Sequence, residues 1–162
     1  MKNILRPTND PLGGFTDLLF VPDIHVNSID NVYTNSVFID LATDKRFYKM
    51  ECVHATAEVK ASAQKTALGK LYDIEINALV AGNYTDNNDA FDELLDYKFI
   101  VLLTDNNCVQ KVYGNTEQPL DFSIVSSSKN EASQRKEVKV KFTGQCFVGE
   151  KIPSNNVLVY AD

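Results

Sequence analysis

Tryptophan is absent from this sequence, and histidine is represented by only two residues, His25 and His54, among 162. A Cys–His or Ser–His–Asp site would have to use one of them, and neither lies in a nucleophile-elbow context such as G-x-S-x-G. We therefore expect no catalytic residues of this kind. The pattern around His54 instead predicts one residue on the face of a strand.

Cysteine is also scarce. Cys52, Cys108 and Cys146 are odd in number and widely spaced, and they form no C-x-x-C or C-x-x-H pair. These spacings do not fit the ligand patterns of a structural zinc site or a disulfide framework. We expect three reduced and mostly buried thiols, which fits a reducing cytosol. No metal site and no cofactor are predicted.

Basic residues are outnumbered by acidic ones. The chain has 16 lysines and arginines against 22 aspartates and glutamates, which gives a net charge of -6 and a pI of about 4.9. This balance argues against a protein that binds nucleic acid through bulk charge, because phosphate neutralisation requires clustered lysine and arginine.

Long apolar runs are missing as well. The longest, such as Phe99–Leu103, are far too short to cross a bilayer. No basic segment followed by an apolar one opens the chain, so we expect neither membrane association nor a secretory leader.

The composition that remains is that of a globular domain, with 44% hydrophobic and 23% charged residues. The length suits one domain with a sizeable core. Prolines and glycines near the start predict an irregular N-terminal arm over residues 1–14. We expect a β-sandwich domain over 15–148 and a C-terminal tail over 149–162.

Apolar side chains alternate with polar ones along much of the chain, and turn signals recur at intervals of roughly 8 to 12 residues. We expect a mainly β fold, an antiparallel β-sandwich or barrel of about eight strands with one flanking α-helix and a long protruding hairpin. Outside the hairpin, the predicted strands cover residues 15–21, 35–41, 99–103, 109–113, 120–124 and 138–142. Residues 157–160 are expected to form a short terminal strand or a tail.

The hairpin is predicted over residues 47–81. Alternation runs through 48–59 and again through 72–80, which indicates two half-buried strands with a tip near Ser62–Leu68. The segment Glu58–Leu68 is rich in alanine, lysine, glutamine and glutamate, so a short helix at the tip is the alternative.

One helix is predicted at about Asn87–Tyr97. The acids and amides just before it suit a helix cap, and Phe91, Leu94 and Leu95 form an apolar face. The run Asp86–Asp89 lacks the glycine of an EF-hand calcium loop, so capping explains it better. The next segment, Phe99–Leu103, is continuously apolar, which predicts a strand covered on both faces.

Two regions of opposite charge stand out. The helix segment carries acids without a base, namely Asp86, Asp89, Asp92, Glu93 and Asp96. The segment Lys129–Lys141 is basic and leads into a strand with outward lysines. Opposite signs suit head-to-tail contact between copies of one chain. A solvated helix face, and lysines that guard a strand edge against pairing, are the alternatives.

The long hairpin also indicates assembly, because exposed strand edges are a liability unless something covers them. A neighbouring subunit in a heterologous ring would cover them. The candidate subunit-contact residues lie at the hairpin tip and in the basic loop: Lys60, Gln64, Lys65, Leu68, Lys129, Arg135 and Lys136.

A series of strand and turn motifs runs through residues 47–144. The first motif is Gly69 followed by Tyr72-Asp73-Ile74-Glu75-Ile76, and the acidic helix comes after it. The motifs after the helix are, in order, Phe99-Ile100-Val101-Leu102-Leu103-Thr104-Asp105-Asn106-Asn107, Val112-Tyr113-Gly114, Pro119-Leu120-Asp121-Phe122 and Val140-Lys141-Phe142-Thr143-Gly144. This order resembles small structural proteins of tailed bacteriophages and prophages, of the tail-tube and head–tail-connector type.

The resemblance implies a non-enzymatic virion protein that forms a ring, commonly hexameric, in the tail tube or neck. Its expected partners are copies of itself and other virion proteins, with transient passage of DNA but no specific nucleic-acid binding. The expected location is the virion, and the host cytoplasm during assembly. The acidic helix residues listed above would then be one candidate for a lumen that repels DNA phosphate.

The alternative is a stand-alone β-sandwich module that binds a glycan or a protein. The 7 tyrosines and 9 phenylalanines supply aromatic platforms for it. The absence of tryptophan weakens this alternative, because tryptophan and tyrosine are the usual anchors of such surfaces. An enzyme would need paired carboxylates brought together by the fold, and no spacing predicts them.

Overall fold

The computed structural model describes residues 15, 17–33, 35–53, 56–67, 69–81, 88–105, 109–126, 137–147, 149, 151–155, 157 and 159. This part of the chain is mainly β, with one α-helix and a short 3-10 helix at Asp23–His25. The elements are β1 (Asp17–Pro22), β2 (Val26–Tyr33), β3 (Ser36–Leu41), β4 (Tyr48–Met50), β5 (Glu58–Thr66), β6 (Gly69–Ala81), α1 (Asn88–Leu95), β7 (Lys98–Thr104), β8 (Gln110–Tyr113), β9 (Leu120–Ser126), β10 (Glu137–Cys146) and β11 (Ile152–Pro153).

The strands form two sheets. The larger has eight strands in the order β4-β1-β7-β9-β10-β6-β5, with β8 beside β7, and all its pairs are antiparallel. The smaller has the order β11-β3-β2, in which β11 runs parallel to β3. The predicted mainly β, antiparallel fold with one helix is therefore confirmed, and the sandwich, not the closed barrel, describes it.

The larger sheet is strongly curled. Strands β4 and β6 lie five places apart in the strand order, which would separate them by about 24 Å in a flat sheet. Cys52, two residues after β4, nevertheless forms a single bridge with Val80 of β6, and the Val53 amide donates to the Leu79 carbonyl at 2.6 Å. The sheet thus wraps around its own core without a continuous closing ladder.

The neighbouring strands β1 and β7 are buried on both faces. Leu18 and Phe20 of β1 point into the curled sheet, whereas Leu19 and Val21 point toward the smaller sheet. The residues of β7 alternate between the same two clusters. The prediction that Phe99–Leu103 is covered on both faces is confirmed, with α1 contributing to one cover and the smaller sheet forming the other.

Phenylalanine rings dominate the core inside the curled sheet. Phe142 of β10 lies 5.0 Å from Phe122, 5.8 Å from Phe99 and 6.3 Å from Phe20, measured between ring centroids. Phe91 and Leu94 of α1 pack into the same cluster. Edge-on and tilted ring pairs of this kind add to the area that the rings bury.

The predicted hairpin is confirmed, and the helical alternative at its tip is wrong. Strands β5 and β6 pair from Glu58↔Asn77 to Thr66↔Gly69. The predicted arms were too long, because the described residues between Phe47 and Ala57 do not belong to the hairpin. β4 pairs with β1 instead, and the Thr56 amide donates to the Val53 carbonyl at 3.1 Å, so that the chain turns before β5 begins.

Two further details differ from the sequence-based expectations. Leu95 does not join the apolar face of α1, since its side chain is 49% exposed while Phe91 and Leu94 are buried. β2 and β11 were not predicted as strands, and β11 (Ile152–Pro153), in the predicted C-terminal tail, joins the smaller sheet. In the short strand or tail expected at 157–160, Val159 forms an isolated parallel bridge with Phe47.

Gly144 of β10 lies close to Leu120, the first residue of β9. A Cβ atom there would lie 2.7 Å from Leu120 Cδ2 and 3.3 Å from the Pro119 carbonyl oxygen, and Leu120 is fully buried. We expect Gly144→Ala to lower the free energy of unfolding by about 1–3 kcal/mol through overpacking. Urea denaturation measures this, with Thr143→Ala as the neighbouring control. An equal effect of the two substitutions would contradict the packing explanation.

Candidate functional site

The most exposed regular element among the described residues is β5, the edge strand of the larger sheet. Its central residues, Lys60 to Lys65, are exposed, and only Val59 and Thr66 are half-buried. No register shift interrupts its pairing with β6. The predicted subunit-contact residues Lys60, Gln64 and Lys65 therefore lie together on one straight, open edge.

The backbone of β5 presents unpaired groups to solvent. The register leaves two residues in the turn between Thr66 and Gly69, and in such hairpins the closing pair and every second pair exchange backbone hydrogen bonds. The N–H and C=O groups of Val59, Ala61, Ala63 and Lys65 therefore point away from β6. Outside the ladder, none of these groups takes part in a backbone hydrogen bond among the described residues. This edge is a template for one more strand.

Cross-strand polar contacts hold the outer face of the hairpin. Asp73 of β6 accepts hydrogen bonds from Gln64 Nε2 and Gln145 Nε2, both at 2.6 Å, which link β5, β6 and β10. Lys141 Nζ lies 2.8 Å from Glu75 Oε2. The Asn77 amide and then Lys141 lower the pKa of the Glu75 carboxyl. The Gln64–Asp73 contact thus ties β5 to β6, and the Gln145 and Lys141 contacts tie β6 to β10.

A like-charge pair lies at the tip of the hairpin. Lys65 and Lys70 are directly opposite each other in the ladder, and both are exposed. Neither has an ion-pair partner among the described residues, whereas Lys60 Nζ lies 3.4 Å from Glu58 Oε1. Like charges in directly opposed positions destabilise a strand pair.

A second open edge belongs to the smaller sheet. β2 ends in four exposed residues, Asp30 to Tyr33, and pairs only with β3. Its outer face carries Asp30, and the neighbouring Asp40 of β3 lies on the same face. The Ser28 hydroxyl donates to Asp30 Oδ2 at 2.7 Å, and Asn27 Nδ2 donates to Asp40 Oδ2 at 3.0 Å. This edge is acidic, because residues 26–41 contain no lysine or arginine.

Large apolar side chains lie exposed on that same outer face. Tyr33 is 76% exposed, Phe38 is 43% exposed and Ile152 is 44% exposed. The register places all three on one side, since Tyr33 and Ile152 both pair with Ser36, two residues before Phe38. Exposed apolar groups that cluster in this way mark interaction surfaces more often than isolated ones do.

The acidic helix α1 carries its charges on the solvent side. Asp89, Asp92, Glu93 and the following Asp96 are exposed, while Phe91 and Leu94 face the core. The helix leaves β6 and packs near β9. The four acids therefore form one exposed acidic face, as the apolar spacing predicts. Asp86, the fifth predicted member, lies outside the described residues.

Four other candidate residues also lie outside the described part of the chain. They are Leu68 at the hairpin turn and the basic-loop residues Lys129, Arg135 and Lys136. Their assignment as subunit contacts stays a prediction. The structure brings together the three hairpin candidates, and separately the four described acids of α1.

Sequence reasoning missed the acidic edge of β2. The clean alternation that marks a strand is broken there by irregularities between Val26 and Ser28 and between Asn31 and Tyr33. A usable signal was present, because the two residues between Tyr33 and Ser36 separate runs that contain valine, isoleucine and aromatic side chains. Lys70 was missed because its position opposite Lys65 depends on the hairpin register.

Groups that could support chemistry are few in the described residues. No three histidine, cysteine or acidic side chains come together as a possible metal site there.

Cys146 is buried, its thiol contacts the Gln118 carbonyl at 3.3 Å, and burial raises the pKa of the thiol. No helix in the described residues has the length and apolar character needed to span a membrane.

His25 is the one described histidine, and its ring is partly enclosed. Its Nδ1 atom is buried and has no hydrogen-bond partner among the described residues. Burial, and to a smaller extent the charge of Lys45, lowers the pKa of His25 below its ordinary value of 6.5. The protonated form is therefore disfavoured in the folded protein.

This pKa shift predicts a pH-dependent stability. Above about pH 6.5, the ordinary pKa, His25 is neutral in both the folded and the unfolded chain, and its contribution to the free energy of unfolding is complete. Below that pH the unfolded chain binds more protons than the folded one. The contribution is therefore lost as the pH falls from the ordinary pKa through the lower pKa of the folded state. We expect the melting temperature of the wild type to fall more between about pH 7.5 and 5.5 than that of His25→Leu. Identical pH profiles of the two proteins would contradict this assignment, since His54 is common to both.

Comparison of the chain with known proteins found no similarity on which to assign it. No family model matches, no curated protein matches, and no solved structure matches. The resemblance to phage tail and connector proteins therefore rests on the strand and turn motifs of residues 47–144.

Proposed function

We propose that this protein is a non-enzymatic structural protein of a tailed-phage virion, which assembles with copies of itself into rings of the tail tube or neck and forms part of the DNA conduit. The observation that carries the proposal is the open edge of β5. Nine residues without a bulge, largely exposed and with unpaired backbone groups, form a surface that a further strand completes.

Shielding by lysines is the other explanation of this edge, because natural proteins place lysine on edges to prevent pairing. Short strands, bulges and covering elements are the other devices that protect an edge, and β5 has none of these, since it is long, regular and exposed. The hairpin is also held firmly by the Gln64–Asp73–Gln145 contacts. A preformed edge loses little conformational freedom on binding, which favours a docking role.

The virion setting comes from the resemblance, and the acidic helix fits it. Asp89, Asp92, Glu93 and Asp96 present negative charge to solvent on one side of α1. A lumen lined with such groups repels DNA phosphates, so DNA passes without adhering. The partners are then copies of the chain and other virion proteins, first in the host cytoplasm and then in the virion.

A second candidate function is a stand-alone binding module for a glycan or a protein. The exposed aromatic side chains of Tyr33 and Phe38, beside the carboxylates of Asp30 and Asp40, favour it. Aromatic rings with neighbouring hydrogen-bond acceptors suit a ligand that has both apolar and polar groups. This surface does not use the open edge of β5.

The oligomeric state separates the two functions. We expect the purified full-length chain to form rings or tubes as its concentration rises, visible by negative-stain microscopy and by light scattering coupled to size-exclusion chromatography. A strict monomer at all concentrations and ionic strengths would contradict assembly. Glycan-array binding by that monomer, lost in Tyr33→Ser and Phe38→Ser, would support the binding module.

A further inference from the structure

We propose that the β5 edge of one copy pairs with the β2 edge of the next copy, so that each chain contributes one basic edge and one acidic edge to a continuous head-to-tail contact. This inference rests on the proposed self-assembly and names the two surfaces that make it. Each edge has a partner on one side only. β5 is regular over its nine residues, whereas the eight-residue β2 is regular over Ser28–Asn31, between its two irregularities, and that stretch contains Asp30.

The charges on the two edges favour the β5–β2 contact over the β5–β5 and β2–β2 contacts. Two β5 edges placed together would bring Lys60 and Lys65 of one copy near the same residues of the other, and two β2 edges would bring the Asp30 side chains together. Pairing β5 with β2 instead places lysines next to Asp30 of β2, with Asp40 of β3 one strand further in on the same face. Opposite potentials favour the mixed contact, and like charges disfavour the symmetric ones.

The opposed pair Lys65↔Lys70 is a second indication of an acidic partner. This pair weakens the hairpin in the isolated chain, and no carboxylate among the described residues relieves it. A local feature that lowers stability without a compensating contact is typical of a functional surface. Carboxylates on an incoming edge would supply the missing counter-charge.

The acidic edge likewise lacks a counter-charge among the described residues. Asp30 and Asp40 accept hydrogen bonds only from neutral groups, Ser28 and Asn27, and have no ion pair among the described residues. The side chains are also complementary in size. Val32 and Tyr33 are large and exposed on β2, whereas Ala61 and Ala63 are small and exposed on β5.

Because the two edges differ, the contact is heterologous, and it repeats from copy to copy. Such a contact closes into a ring when the rotation between neighbours divides a full turn, and otherwise it gives a helical filament. The inference therefore predicts cyclic or open-ended assemblies in which every copy uses its β5 edge toward one neighbour and its β2 edge toward the other.

A charge swap tests the pairing. We expect Lys65→Glu with Lys70→Glu, and separately Asp30→Lys, to raise the concentration at which the full-length chain assembles by about tenfold or more. The chain that combines all three substitutions should regain assembly, because the contact is then attractive again with the signs exchanged. Lys139→Glu, on the exposed face of the interior strand β10, is the control for altered net charge.

A backbone substitution tests the same edge without changing charge. The N–H of Ala63 points away from β6, so Ala63→Pro removes no hydrogen bond of the hairpin and blocks the addition of a strand. Ala63→Thr keeps the N–H and serves as the matched control. Circular dichroism and the urea midpoint of the dilute monomer check that each variant is folded.

The outcomes distinguish the two levels of the proposal. Loss of assembly in Ala63→Pro, together with rescue by the triple charge swap, supports the β5–β2 contact. Normal assembly of folded Ala63→Pro, or no rescue by the charge swap while the wild type assembles, would overturn the contact and leave the proposed self-assembly standing. A wild-type chain that stays monomeric would overturn both.

Discussion

The burial of β1 and β7 on both faces is the constraint on which the rest of the structure depends. Every side chain from Leu18 to Val21 and from Phe99 to Leu103 is apolar, so both faces of these strands must be covered. The larger sheet meets one requirement by curling over its own phenylalanine-rich core with α1 alongside. The smaller sheet meets the other, with Val37 and Ile39 packed against Leu19 and Ile100.

The way in which the two sheets cover β1 and β7 also leaves one strand edge open on each sheet. The curled sheet uses β6 to complete its core, and β5 is attached to the outer side of β6 with little left to bury. The smaller sheet covers the second core with β3 and part of β2, so the end of β2 is exposed. An open edge on each sheet is thus a consequence of how the core is enclosed. A repeating contact between copies would pair both open edges, β5 and β2.

Local signals predicted the elements whose contacts are close in sequence. The β5–β6 hairpin, the strand pair β7–β8 and the helix carrying Phe91 and Leu94 follow from alternation, turn residues and helical spacing. The predicted hairpin was too long because alternation continues across residues 51–57, where Thr56 and Val53 form a turn. A period of two does not reveal where a chain leaves one partner strand for another.

The sequence by itself determined the mainly β character, the double-sided burial of Phe99–Leu103 and the acidic outer side of α1. The reason is that periodicity and composition act over a few residues. Only the tertiary structure decided that β2 is an open acidic edge and that Lys65 faces Lys70. Strand order, register and the irregularities of β2 arise from contacts between distant segments, such as Ile152 with Ser36, which leave no periodic signature in the chain.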